Sequence, residues 1–119
     1  MKKILIVDEL STLSKVYIDL LSRHYQSEAG TSAYEIIPRA ERLDPDLVIV
    51  NSELPGFDPH EFCQSIKNDL KVPVLLLLDA GSPTSLQIDG CSADEVITKP
   101  FTKELFFEKI AGLFIKTPG

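Results

Sequence analysis

The chain of 119 residues is short of cysteine, of basic charge and of long apolar runs, and each shortage excludes a class of protein. Two cysteines, Cys63 and Cys91, cannot build a disulfide scaffold and show no metal-ligand spacing, so they read as reduced thiols of a cytoplasmic protein. No Lys, Arg or His stands beside Cys91 to activate it. Lys and Arg total 12 against 18 Asp and Glu, a formal charge of −6 that repels phosphate backbones and anionic lipid heads. Nucleic acid bound by this domain alone, and membrane, are therefore not expected as partners. The longest apolar runs, Ile4–Val7 and Val74–Leu78, fall far below the ~20 residues of a membrane-spanning helix. Asp8-Glu9 interrupts the first run too early for a signal-peptide core. His24 and His60 have no companion ligands nearby in sequence and read as surface histidines.

What is present is an ordinary globular composition, 44% hydrophobic and 25% charged, enough for one buried core. The expected domain covers residues 1–115, and 116–119 reads as a tail or the start of a linker. Ile4–Val7, Leu47–Val50 and Val74–Leu78 are continuous rather than alternating, the pattern of parallel strands covered on both faces. A weaker strand is expected at Glu95–Thr98 and a polar edge strand near Tyr25–Ala29.

Helical patterns fall between these runs. Leu13, Val16, Tyr17, Leu20 and Leu21 follow the amphipathic template behind Ser11 or Thr12. Asp58-Pro59-His60-Glu61 is a helix start, with Phe62, Cys63, Ile66 and Leu70 as its apolar stripe. The last helix begins near Thr102 and is expected to turn Leu105, Phe106, Ile110 and Leu113 inward. Pro38 conflicts with the capping box at Ser32–Glu35, and Gly81, Pro83 and Gly90 leave only a brief helix between Asp79 and Ser92. Strands alternating with helices imply right-handed crossovers and a parallel α/β sheet.

In such a sheet, ligands bind beyond the carboxyl ends of the strands. Asp8-Glu9, Asn51, Leu78-Asp79 and Lys99-Pro100 fall at those ends. Two carboxylates near a lysine suit a small ion site, or equally a salt bridge at the sheet rim without a ligand.

The chain resembles the response-regulator receiver domains of bacterial two-component signalling, the CheY-like family. The resemblance rests on Ile4–Glu9, on Pro45–Asn51 followed by Leu54–Asp58, on Val72-Pro73-Val74, and on Ala93-Asp94-Glu95 with Lys99-Pro100-Phe101. It implies a flavodoxin-like, doubly wound (βα)5 fold with five parallel strands in the order 2-1-3-4-5. It also implies Mg²⁺-dependent transfer of a phosphoryl group from a histidine kinase to an aspartate in a phosphorelay. The family's acidic pocket falls on Asp8 and Glu9, and its lysine and cis-proline on Lys99 and Pro100. Its phosphoacceptor aspartate falls on Asn51, its Thr or Ser after the fourth strand on Leu78, and its switch aromatic on Val96.

A carboxamide has no anionic oxygen with which to attack phosphorus, so Asn51 is not expected to be phosphorylated. Two carboxylates and an amide oxygen hold Mg²⁺ less tightly than three carboxylates, so metal binding is expected to be weak or absent. Leu78 offers no hydroxyl and Val96 no ring. The expected protein is a pseudo-receiver with no enzyme activity, acting through protein–protein contact. The alternative is an active Mg²⁺-dependent receiver with a non-standard acceptor among Asp79, Glu53 and Ser52. A flavin protein of the same fold would need phosphate-cradling donors where Asp8 and Glu9 stand. Phe107, Ala111, Phe114 and Ile115 on the last helix form a candidate interface, either toward a signalling partner or a homodimer. By resemblance, that face is built from the fourth helix, the fifth strand and the fifth helix.

Overall fold

The computed structural model describes residues 2–7, 16, 19–30, 38, 40–51, 59–79, 93–99 and 101–116. Five strands, β1 (Lys3–Val7), β2 (Gln26–Gly30), β3 (Leu47–Asn51), β4 (Val74–Asp79) and β5 (Glu95–Lys99), form one sheet in the order β2-β1-β3-β4-β5. Every pairing is parallel. This is the doubly wound, flavodoxin-like α/β arrangement that the resemblance implies, and the polar run near Tyr25–Ala29 does supply its edge strand. The helices described in full are Pro59–Asp69 and Lys103–Lys116, and described helical residues also run up to Leu21 and to Leu43.

Alternation along the strands divides the core into two layers. Leu5, Val7, Val48, Val50, Val74, Leu76 and Leu78 pack against Ala40, Leu43, Cys63 and Ile66. Ile4, Ile6, Leu47, Ile49, Leu75, Leu77 and Ile97 pack against Leu21, Phe106, Ile110 and Leu113. Each fully buried aliphatic or aromatic side chain contributes roughly 1.5–3 kcal/mol of hydrophobic free energy. Two layers on one sheet explain why Ile4–Val7, Leu47–Val50 and Val74–Leu78 are apolar without a break.

The register is clasped at the amino ends of the strands by two aspartates with the same geometry. Asp46, just before β3, accepts the Lys3 N–H on its carboxylate at 2.8 Å and donates its own N–H to the Lys3 carbonyl at 2.7 Å. Asp94, just before β5, accepts the Val74 N–H at 2.8 Å and donates to the Val74 carbonyl at 2.9 Å. Each clasp fixes the first residue of one strand against the residue preceding its neighbour. Lys67 Nζ also donates to the Asp94 carboxylate at 2.7 Å, on a partly exposed surface.

Helix ends follow local chemistry. Thr102 caps the last helix, its hydroxyl accepting the Leu105 N–H at 3.1 Å. The stretch ending at Leu43 closes on Asp44 at φ 54°, with the Asp44 N–H donated to Ala40 and Pro45 barring any continuation. The Pro59–Asp69 helix closes similarly on Lys71 at φ 58°, whose N–H reaches Ile66.

Two expectations about side chains need correction, and one buried polar atom stands out. Leu105 is 37% exposed rather than inward, because Phe106, Ile110 and Leu113 already fill the stripe that faces the sheet. Val16 is 48% exposed and Leu20 half-buried, leaving Leu21 as the described residue of that helix that reaches the core. Ser27, paired with Ile4, carries a buried hydroxyl with no hydrogen-bond partner among the described residues, a polar atom in an apolar layer.

Asp94→Ala is expected to cost about 1.5–3 kcal/mol, because it strands the buried end of β4 without its charged acceptor. Lys67→Ala, which removes only the exposed ion pair, is expected to cost less than ~1 kcal/mol. Urea unfolding followed by circular dichroism separates the two. Gly112 lies inside the last helix, and a Cβ there meets nothing within 4 Å, so Gly112→Ala should stabilise the protein by roughly 0.5–1 kcal/mol in the same assay.

Candidate functional site at the carboxyl ends of the strands

The sheet topology brings the ends of β1, β3, β4 and β5 to one edge. Val7 pairs with Val50, Asn51 with Leu77, and Asp79 with Lys99. Asn51 therefore closes β3 one register step beyond the Val7–Val50 pair, and Asp79 and Lys99 are direct backbone neighbours on the last step of β4 and β5. Asp8, Glu9 and Pro100 lie outside the described residues, and so do Ser52 and Glu53. The face expected around the fourth helix falls at residues 80–92, also outside them.

Asn51 is 6% exposed, a polar residue that ends a strand otherwise made of Leu47, Val48, Ile49 and Val50. A neutral amide is tolerated there at lower desolvation cost than a carboxylate without a countercharge. Its alternation phase matches Leu47 and Ile49, which lie in the layer beneath the last helix. Leu78 lies in the opposite layer, 4% exposed, packed with Val7 and Val50. Val96 is half-buried against that same layer. Both positions serve as hydrophobic packing.

The described residues contain no cluster of three or more His, Cys, Asp and Glu side chains able to hold a metal ion. No helix among the described residues is long and apolar enough to cross a membrane.

On the candidate interface helix, the four residues divide. Phe107 and Phe114 are half-buried and pack against the core layer, Phe107 edge-on to His24 at 5.8 Å and Phe114 tilted on Tyr25 at 5.5 Å. Lys2 Nζ lies over the Phe114 ring at 5.5 Å. Ala111 is exposed, and Ile115 is 84% exposed. The apolar surface offered to solvent by this helix is thus Ile115, Ala111 and Leu105. The aromatic contacts use up most of the two phenylalanines. Sequence reading gave Asp46 and Asp94 no role beyond a motif. Their position directly before a strand, Asp46 before Leu47 and Asp94 before Glu95, is what the two clasps share.

An open parallel sheet with this strand order, clasped at one end and carrying its polar residues at the other, defines a class of α/β switch and binding domains. Residues 4–111 match the response regulator receiver domain family, and the chain belongs to that family. It is 31% identical over 115 residues to the sensory transduction protein BceR of Halalkalibacterium halodurans, covering 95% of this chain and 50% of that protein. It is 30% identical over 122 residues to the DNA-binding dual master transcriptional regulator RpaA of Synechocystis, covering 98% of this chain and 51% of that protein. The chain thus spans about half the length of these relatives. Among solved structures, the signal receiver domain of a signal transduction histidine kinase from Syntrophus aciditrophicus superposes with a TM-score of 0.88 at 27% identity. That match covers 99% of this chain and 93% of the other. The chemotaxis response regulator CheY4 of Vibrio cholerae shares the fold, with a TM-score of 0.81 at 22% identity over 95% of this chain and 98% of the other. The family is one of signalling domains, and the chain is a non-enzymatic member of two-component signalling.

Leu78→Thr, which restores a hydroxyl to the end of β4, is expected to destabilise the domain by about 2–4 kcal/mol. It removes buried methyl groups and places an oxygen in the packed Val7–Val50 layer. Denaturant midpoints read by circular dichroism check this. A cost below about 1 kcal/mol would mean that Leu78 faces a polar, hydrated site instead.

Proposed function

We propose that this receiver domain signals by phosphorylation-independent contact with a protein partner. The observation that carries the reading is Asn51, a buried carboxamide at the carboxyl end of β3, where the family resemblance puts the phosphoacceptor. Phosphoryl transfer to a side chain needs a lone pair on a nucleophilic atom, and the amide nitrogen's pair is delocalised into its carbonyl. Leu78 and Val96 support the same reading. A leucine cannot donate a hydrogen bond to a phosphoryl oxygen, and a valine has no ring to swing between an exposed and a buried position.

Receiver domains can bind Mg²⁺ at the phosphorylation site, and here Asp8, Glu9 and the Asn51 carbonyl oxygen would be its protein ligands. Hard divalent cations prefer charged oxygen, so this set binds more weakly than one with a third carboxylate. When bound, the ion would supply charge neutralisation at the strand ends. Lys99 would supply a fixed positive charge beside it, and its register partner Asp79 a negative one.

The active alternative, a receiver using Asp79, Glu53 or Ser52 as acceptor, has only the Asp79–Lys99 register in its favour. The partner surface is proposed on the outer face of the last helix, around Ala111 and Ile115, where apolar side chains meet solvent.

Incubation with acetyl phosphate and Mg²⁺, followed by intact-mass spectrometry, is expected to show no added phosphoryl group on the chain. A gain of one phosphoryl mass localised to Asp79, Glu53 or Ser52 would establish the alternative. Asn51→Asp returns a third carboxylate and should raise Mg²⁺ affinity at least about tenfold. The gain is read as an upward shift of the melting temperature with added Mg²⁺ in the variant that the parent lacks. Equal responses of parent and variant would remove Asn51 from the cation site.

A further inference from the structure

We propose that the hollow between the edge strand β2 and the helical stretch ending at Leu43 binds a small phosphomonoester that also carries hydroxyl groups, of the size of a sugar phosphate. The hollow has a volume of about 530 Å³ and is lined by Lys3, Gln26, Glu28, Arg42 and Leu43. That volume lies within the roughly 300–1,000 Å³ of small-molecule sites. The hollow opens toward the amino ends of β1 and β2, away from the strand end that carries Asn51. The inference therefore stands whether or not residue 51 accepts a phosphoryl group.

The polar side chains here depart from the pattern of the rest of the sheet. Lys3 is in alternation phase with Leu5 and Val7, and Gln26 and Glu28 are the register partners of Lys3 and Leu5. All three side chains emerge on the sheet face where β3 and β4 bury Val48, Val50, Val74, Leu76 and Leu78. Leu43 packs on that same face, so the hollow lies where the apolar layer would otherwise continue onto β2. Polar residues around an unfilled space under a helix end give up packing and leave hydrogen-bonding groups for a polar ligand.

The donors are partly held in place. Lys3 Nζ donates to the Leu43 carbonyl at 3.2 Å, which fixes the ammonium at the helix end and leaves its other N–H groups to give. The Lys3 backbone is fixed as well, by the Asp46 clasp. Arg42 is exposed, and among the described residues its guanidinium has no hydrogen-bond or ion-pair partner. A guanidinium and an ammonium beside one hollow suit a phosphate group, the first binding two oxygens in parallel and the second a third. Gln26 and the Glu28 carboxylate offer acceptor oxygens that a bare anion cannot use and that hydroxyl donors can. Among the described residues no aromatic ring lines the space, so nothing stacks a nucleobase, and the lining apolar residue, Leu43, is itself buried. These features favour a hydroxylated phosphomonoester over a nucleotide or an apolar anion.

Glucose 6-phosphate is the probe, with glucose and inorganic phosphate as comparisons. Titration into isotope-labelled protein, followed by NMR, should move the amide signals of Gln26, Glu28, Arg42 and Leu43 with half-saturation at or below about 1 mM. Glucose should move none of them, and inorganic phosphate should bind at least about tenfold more weakly. Arg42→Ala should fold, since that side chain is exposed, and should lose at least about tenfold in affinity. Lys3→Gln, which keeps an amide donor but removes the charge, should do the same; circular dichroism verifies both folds. Lys67→Ala, in a separate hollow lined by Lys71, Val72, Pro73 and Asp94, should leave binding unchanged. The proposal is overturned if no saturable shift is seen, or if both Arg42→Ala and Lys3→Gln keep the parent's affinity. It is also overturned if inorganic phosphate binds as well as glucose 6-phosphate, which would mark an adventitious ion only.

Discussion

The register of the parallel sheet is the constraint on which the rest of the molecule depends. A slip of one residue between neighbouring strands would exchange the two core layers, moving Leu5, Val48 and Leu76 onto the side built for Ile4, Ile49 and Leu75. The continuous apolar runs of the three central strands do not resist that slip by hydrophobicity alone, since both faces of each run are apolar. The aspartates before β3 and β5 resist it by polarity. A carboxylate that accepts one particular backbone N–H, while its own N–H is taken by that residue's carbonyl, fits at a single offset. Clasping the amino ends then fixes which residues emerge at the carboxyl ends, so Asn51 lies beside Leu77, and Asp79 beside Lys99.

Much of this was legible in the sequence, for a definite reason. Continuous apolar runs at Ile4, Leu47 and Val74 can be satisfied only by a sheet covered on both faces, and Pro59 and Thr102 mark helix starts by their own chemistry. The edge strand was harder to read. Gln26–Gly30 is polar, and it is held by pairing to β1 more than by burial. What single-helix periodicity does not carry is which half of a wide apolar stripe faces the sheet. Leu105 and Phe106 are adjacent and both apolar, and only the crossing of the helix over Ile97 and Leu77 decides that Phe106 enters the core. Val16 is the same case on the first helix. It fits the template, yet it lies where two helices diverge rather than where one meets the sheet.

The polar end of the site shows a comparable split. Motif spacing alone places Asn51 and Leu78 near the carboxyl ends of their strands and Val96 within β5, but not the face each occupies. Alternation sets Asn51 in phase with Ile49 and sets Leu78 in the opposite layer with Val7 and Val50.

Charge placement ties these features together. On a chain with six more acids than bases, the carboxylates at the amino end of the sheet are spent on backbone N–H groups, and Asp94 holds Lys67 as well. At the carboxyl end, Asp8 and Glu9 directly follow Val7, the register partner of Val50, and a third carboxylate at residue 51 would add like charge to a buried strand end. Without a bound cation that addition costs stability, because like charges in a poorly hydrated site raise one another's free energy steeply. An amide at residue 51 removes the repulsion, keeps an oxygen for weak coordination and gives up the nucleophile. Under the proposed phosphorylation-independent reading, that trade suits a domain whose resting fold does its work. On that reading recognition would fall to surfaces where apolar side chains meet solvent, such as Ile115 on the outer face of the last helix.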